Sequence, residues 1–108
     1  MEMLTLPDLA ERMGLGLTGV RGLLKERKLI AVRREDGVLV APAEQLDGDR
    51  PVKHLVALLT LLADAGYSDE EALRWLTTAD DTLPGTPLQA LQENRATEVK
   101  RRAQALAF

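Results

Sequence analysis

"AERMGLGLTGV", residues Ala10 to Val20, decides how the N-terminal half folds. Within it, Gly14-Leu15-Gly16-Leu17-Thr18-Gly19 spells the dinucleotide pattern GxGxxG. That pattern needs a strand before it and a helix after it, so that the glycines can bring a helix N-terminus against a pyrophosphate. Here the preceding residues read as a helix. Thr5 is a capping residue, Pro7 stands in the first turn, and Asp8 three residues after Thr5 gives a capping-box variant. Leu6, Leu9, Ala10 and Met13 then share one helical face, and Gly14 stands where a left-handed residue ends a helix. The acidic residue that the pattern requires about 20 positions later would be Glu35, which falls in a turn. The match is therefore a coincidence of composition, and no nucleotide or other cofactor is expected.

A second helix is expected from Leu17 or Thr18 to about Lys28, burying Val20, Leu23 and Leu24. Two helices joined by three or four residues around a glycine form a helix-turn-helix. Ala10 lets the helices approach, Gly14 accepts the turn conformation, and Val20 fills the corner. Residues 29–32 and 38–40 are β-prone runs around Asp36-Gly37, a hairpin signal. Pro42 ends the second run, and residues 43–46 read as one short helical turn.

The chain has 108 residues, 45% of them apolar and 29% charged, which suits one small domain or two modules sharing a core. With one Trp, one Tyr and one Phe, the core must be Leu, Val and Ala. The absence of cysteine and the single histidine exclude disulfides and Cys/His zinc sites, and no metal is expected. No apolar run is long enough to span a membrane, and the N-terminus lacks the pattern of a signal peptide. A cytoplasmic location follows as the expectation. The formal charge is −3, yet residues 21–34 carry Arg21, Lys25, Arg27, Lys28, Arg33 and Arg34 against Glu26 alone, a local +5. Such a patch can hold phosphate although the whole chain is acidic.

Gly48-Asp49-Arg50-Pro51 reads as a junction. Beyond it, residues 52–65 are apolar at 10 of 14 positions, and a helix apolar nearly all round must be buried on more than one side. A homodimer through this helix is the expectation, against a monomer in which the helix is central to the core. Ser68 to Glu71 starts another helix with a capping box, Trp75 serves as a packing anchor, and Thr86 to Gln89 starts a third. A last helix, interrupted near Asn94, turns Ala96, Val99, Ala103 and Leu106 inward and Lys100, Arg101 and Arg102 outward. His54 reads as an ordinary helix residue and Ser68 as a cap, so no catalytic constellation is assembled and no enzyme is expected.

The small residue, glycine and branched residue at 10, 14 and 20 resemble the helix-turn-helix signature. The order "TLPDLAERMGL…VRGLLKERKLIAVRREDGVLVAPAEQL" resembles the N-terminal modules of MerR-type regulators and excisionases, which bind duplex DNA. The resemblance implies a second helix in the major groove offering Leu17, Thr18, Arg21, Gly22 and Lys25. Arg21 would read guanine through O6 and N7. Arg33 and Arg34 on the wing would reach phosphates or the minor groove, while Lys25, Arg27 and Lys28 would supply backbone charge. The string "DEEALRWLTTADDTLPGTPLQALQENRATEVKRRAQAL" is similar to the C-terminal region of a small actinobacterial family of winged-helix DNA-binding proteins known from mycobacteria. Regulation by a serine/threonine kinase is associated with that family, which implies such a kinase as a partner. "ALRWL…LPGTPLQAL" also resembles the toxin-binding region of Xre-type antitoxins, which implies a different class of function, a protein-interaction module working through its C-terminal helices.

The expected fold is thus mainly α. A winged helix-turn-helix with a small β-hairpin (residues 1–47) is followed by a C-terminal helical module (residues 51–108) for support or dimerisation. The expected function is duplex DNA binding, sequence-specific or architectural, in transcriptional regulation.

Overall fold

A computed structural model describes residues 1–106. The first strand, β1 (Met3–Thr5), leads directly into α1 (Leu6–Met13) and, after a short turn, α2 (Leu17–Lys25). Thr5 caps α1 by accepting the Asp8 N–H at 3.4 Å, so the cap is a single bond. Gly14 then adopts φ +67°, its N–H donates to the Glu11 carbonyl, and the Leu15 N–H donates to that of Ala10. This pair of bonds closes the last turn of α1 and redirects the chain into α2. Val20 is fully buried at the corner, alongside Leu9, Ala10 and Met13.

α2 stops at Lys25 rather than near Lys28. Arg27 takes φ +56°, with its N–H donating to the Leu24 carbonyl and the Lys28 N–H to that of Leu23. The same closing device thus ends α2, here with an arginine in a conformation that costs an L-residue about 1–2 kcal/mol. The two-strand wing is β2 (Val32–Arg33) and β3 (Leu39–Pro42), antiparallel, with Val32 opposite Val40 and Arg33 opposite Leu39. Its turn closes by bonds from Gly37 N–H to the Arg34 carbonyl and from Arg34 N–H to that of Val38, with Gly37 at φ +84°. That is a three-residue loop ending in a left-handed glycine.

Three features depart from the sequence expectation. β1 pairs with β3, Leu4 opposite Ala41, and makes the wing a three-stranded sheet in the order β1-β3-β2. Residues 29–31 are not strand. Leu29 and Ile30 turn into the core, and the fully buried Gln45 plays the part of a pairing strand for Ile30. Its Oε1 accepts the Ile30 N–H at 2.8 Å, and its Nε2 donates to the Ile30 carbonyl at 2.7 Å. Gln45 is held there by the 3₁₀ turn Ala43–Gln45. The supposed junction is itself a hairpin, β4 (Leu46–Asp47) with β5 (Arg50–Pro51), turning at Gly48 and Asp49.

The helical half contains α3 (Leu55–Asp64), α4 (Asp69–Leu76), α5 (Pro87–Gln92) and α6 (Ala96–Ala105). α3 begins three residues later than its apolar run, because the Val52 N–H is taken by the Gln45 carbonyl at 2.7 Å and His54 caps the helix at φ +72°. His54 is consequently not a helix residue. Leu55, Leu58, Leu59 and Leu62 are buried within this one chain, where α3 packs on α4 and α6. Val56 is 40% exposed on the outer side. Each buried leucine is worth about 1.5–3 kcal/mol. Reciprocal capping boxes start α4, at Ser68 and Glu71, and α5, at Thr86 and Gln89. The Ser68 N–H and hydroxyl hold the Glu71 carboxyl below the usual carboxylate range.

A single buried apolar cluster runs from Leu4 to Ala103 through both halves. Gln92 of α5 adds a polar tie, its Nε2 donating to the carbonyls of Glu44 and of Leu46, the latter at 2.9 Å. The wing sheet and helix pair are therefore seated on the C-terminal helices. Among the described residues, no helix is long and apolar enough to cross a membrane.

Candidate nucleic-acid interface

The outward side of α2 follows from its buried one. With Val20 at the corner and Leu23 and Leu24 half-buried, the 100° step per residue turns Thr18, Gly22 and Lys25 away from the core, with Arg21 on one shoulder and Gly19 on the other. Leu17, 45% exposed, opens the helix, and Leu15 is exposed in the turn before it. Val38 is exposed where the wing loop meets β3. Sequence reasoning missed Leu15 and Val38. The available signal was an apolar residue in a tight turn, where the two-helix core has no place for it.

The six cations of residues 21–34 divide into two groups. Arg21, Lys25 and Arg33 have no carboxylate at ion-pair distance among the described residues, and Arg33 Nη1 donates to the Gly37 carbonyl at 2.8 Å. The other three are paired. Lys28 meets Glu26 at 3.2 Å, Arg27 meets Asp69 of α4 at 3.6 Å, and Arg34 grips Asp36 through Nε and Nη2. That Arg34 fork, with the Val38 N–H, holds the Asp36 carboxyl below its ordinary range. Because exposed pairs of this kind are worth about 0–1 kcal/mol, a phosphate can displace them at little cost. Arg27 and Lys28 lie beyond the end of α2, so they flank the helix rather than extend its face.

The triplet of α6 is not uniformly outward. Lys100 Nζ lies 3.0 Å from His54 Nδ1, and Arg102 donates to the Thr82 carbonyl and faces Asp80 at 3.6 Å. Arg101 alone of the three is exposed. Desolvation first, then Lys100 and Lys53, press the His54 ring below its ordinary pKa, which suits an imidazole acting as acceptor. Asp80, bonded by the Thr82 side chain and backbone, is likewise held below its ordinary range. No three acids or histidines among the described residues group to hold a metal ion.

Neither glycine on the outward face is required by packing. A Cβ on Gly22 would meet no atom within 4 Å, and one on Gly19 would make ordinary contact with Leu15 at 3.4 Å. Since an interior helix glycine costs about 0.5–1 kcal/mol relative to alanine, α2 gives up stability for a bare flank.

A helix with a cationic outward face, set by a glycine turn behind a supporting helix and flanked by an arginine-bearing hairpin, defines a winged helix-turn-helix protein. Residues 1–46 match the family described as "DNA-binding protein Rv2175c, wHTH domain", and residues 52–107 match "Rv2175c C-terminal domain of unknown function". The chain belongs to the Rv2175c family of DNA-binding proteins. It is 40% identical over 115 residues to the DNA-binding protein Rv2175c of Mycobacterium tuberculosis (strain ATCC 25618 / H37Rv), across 95% of this chain and 79% of that relative. The NMR structure of Rv2175c superposes with a TM-score of 0.90 at 38% identity, covering 99% of this chain and 82% of the other.

Proposed function

We propose that this protein binds duplex DNA, with the outward face of α2 in the major groove and the wing on the backbone or minor groove, and that it regulates transcription there. The observation that carries the reading is the set of three cations without carboxylate partners, Arg21, Lys25 and Arg33. They stand on the two elements that a winged helix presents to DNA. Family membership and the MerR-type likeness of the first half support it. A DNA partner gives the protein a nucleoid location.

Fluorescence anisotropy with a random-sequence duplex at low and high salt tests the reading. Binding is expected to weaken linearly in log K against log salt, at about 0.9 per phosphate held. No salt-dependent binding at micromolar protein would sink it, in favour of a module that grips a partner protein through its C-terminal helices.

Gly22→Ala supplies a second readout. The substitution is expected to stabilise the fold by about 0.5–1 kcal/mol in urea unfolding, since the new methyl meets nothing, and at the same time to weaken DNA binding. Unchanged affinity would remove close approach as the reason for the glycine.

The same reading has the protein act without catalysis of its own. Ser68 is occupied by capping and His54 by Lys100, which supports a binding role. Burial of the α3 leucines within one chain supports one copy per DNA site over the homodimer expected through residues 52–65; sedimentation of the complex at two copies per site would overturn that. A serine/threonine kinase as a partner rests on the family resemblance. Thr18 is the hydroxyl on the outward face where an added phosphate would oppose DNA, and repeating the titration on the phosphorylated chain tests this control.

A further inference from the structure

β2 is the edge strand of the wing, and α4 packs along it. Between them runs an open groove lined by Val32, Arg33, Glu70, Leu73, Arg74 and Thr77. Arg33 comes from the wing and Arg74 from the last turn of α4, so two guanidiniums border one concavity on elements from opposite halves of the chain. A cation near a helix C-terminus is favourable in itself. That preference does not account for a second cation across the groove.

The charge around them is unusual. The chain carries 17 carboxylates against 14 lysines and arginines. Even so, neither Arg33 nor Arg74 has a carboxylate at ion-pair distance among the described residues. Glu70 lines the same groove one turn before Arg74 and still does not pair with it. Thr77 is turned inward, its hydroxyl donating to the Leu73 carbonyl at 2.8 Å. What remains is an open groove bordered by the Arg74 guanidinium and by that of Arg33, whose Nη1 is steadied by the Gly37 carbonyl, with the Glu70 carboxylate, unpaired among the described residues, on the same lining. Guanidiniums suit the oxygens of a phosphate.

Resting on the DNA-binding reading above, we infer that the groove between β2 and α4 receives a phosphodiester of the DNA backbone beside the segment that α2 reads. Arg74 thereby carries the interface onto the C-terminal half. The placement of α4 agrees with this. Its first residue, Asp69, holds Arg27 just past the end of α2, and its later turns lie by the wing, so α4 bridges the two elements that meet DNA.

The test uses the full chain and four variants: Arg74→Ala, Arg33→Ala, the double variant, and Arg101→Ala. Arg101 is an exposed cation on α6, which packs on α3 and α5, and it controls for the loss of one net charge. Circular dichroism checks that each variant folds, and anisotropy against a duplex is read over a salt series. Arg74→Ala is expected to flatten the log K against log salt slope by about 0.9 relative to the Arg101→Ala control. The double variant is expected to lose less than the sum of the two single losses, because both arginines serve one phosphate. A slope for Arg74→Ala equal to that of Arg101→Ala, while the unaltered chain binds normally, overturns this inference and leaves the DNA-binding reading intact. Additive losses overturn the shared phosphate. Failure of the unaltered chain to bind would remove the reading itself, a distinguishable result.

Discussion

Replacing Gln45 by alanine is expected to destabilise the protein by about 2–4 kcal/mol, seen as a lower urea midpoint at unchanged slope. Gln45 is 0% exposed, and its amide serves both backbone groups of Ile30. Truncation leaves a buried N–H and a buried carbonyl without partners, each costing about 1–3 kcal/mol, and opens a cavity besides. Gln45→Glu sharpens the test because it keeps the shape. A protonated carboxyl can still donate to the Ile30 carbonyl, whereas the ionised form cannot and is buried against it, so the folded pKa is raised. The stability contributed by that proton is fully present below the unfolded pKa of the glutamate and is lost as pH rises through the folded value. A Gln45→Ala midpoint equal to the parent's would mean that this double bond does not hold the segment. The consequence reaches the interface, because Ile30 lies between the end of α2 and the start of β2. Loosening it frees the wing relative to the helix.

Arg21→Ala carries the largest expected effect on recognition, about 1–3 kcal/mol at a single base position, or roughly 5- to 150-fold. Arg21 is exposed on the shoulder of the outward face and has no carboxylate partner among the described residues. Its fork is therefore free to pair with O6 and N7 of a guanine. Selection of bound sequences from a randomised duplex pool is expected to show one position losing its preference in the variant while the others persist. A uniform loss over all sequences would reassign Arg21 to phosphate. Base reading on this face is sparse, since Thr18 and Lys25 are its other polar side chains and Gly22 contributes none. The expected site is accordingly short.

What could be read from sequence depended on how far apart the deciding atoms lie. The α1–α2 corner was legible because Thr5, Gly14 and Val20 act over one or two turns. So were the starts of α4 and α5, where cap and partner stand three residues apart. β1 was not, because three residues become a strand only by pairing with β3, almost forty positions on. The early stop of α2 was equally hidden. Arginine is a poor signal for a left-handed residue, and the side chain held there meets Asp69, far along the chain. Gln45 looked like one more polar residue in "APAEQL". Its burial is set by Ile30, a tertiary neighbour. The apolar run of residues 52–65 suggested burial on several sides, yet Leu55, Leu58, Leu59 and Leu62 form one buried stripe against α4 and α6 while Val56, Ala57 and Thr60 are exposed, because a count of apolar residues does not say which of them the fold covers. For the candidate site, sequence identified the six cations but could not sort the free from the paired, since Asp69 binds Arg27 only in the fold.

The separation of charge along the chain has a kinetic meaning. Residues 21–34 hold six of the 14 cations and one of the 17 carboxylates, which leaves eight cations and 16 carboxylates for everything else. In the field of a polyanion such a molecule experiences a torque, so it turns its cationic side forward before contact, while the rest of the chain, acidic on balance, is repelled. The acidity of the remainder thus acts as an orienting vane. It sacrifices overall attraction to DNA for a higher fraction of correctly aligned collisions.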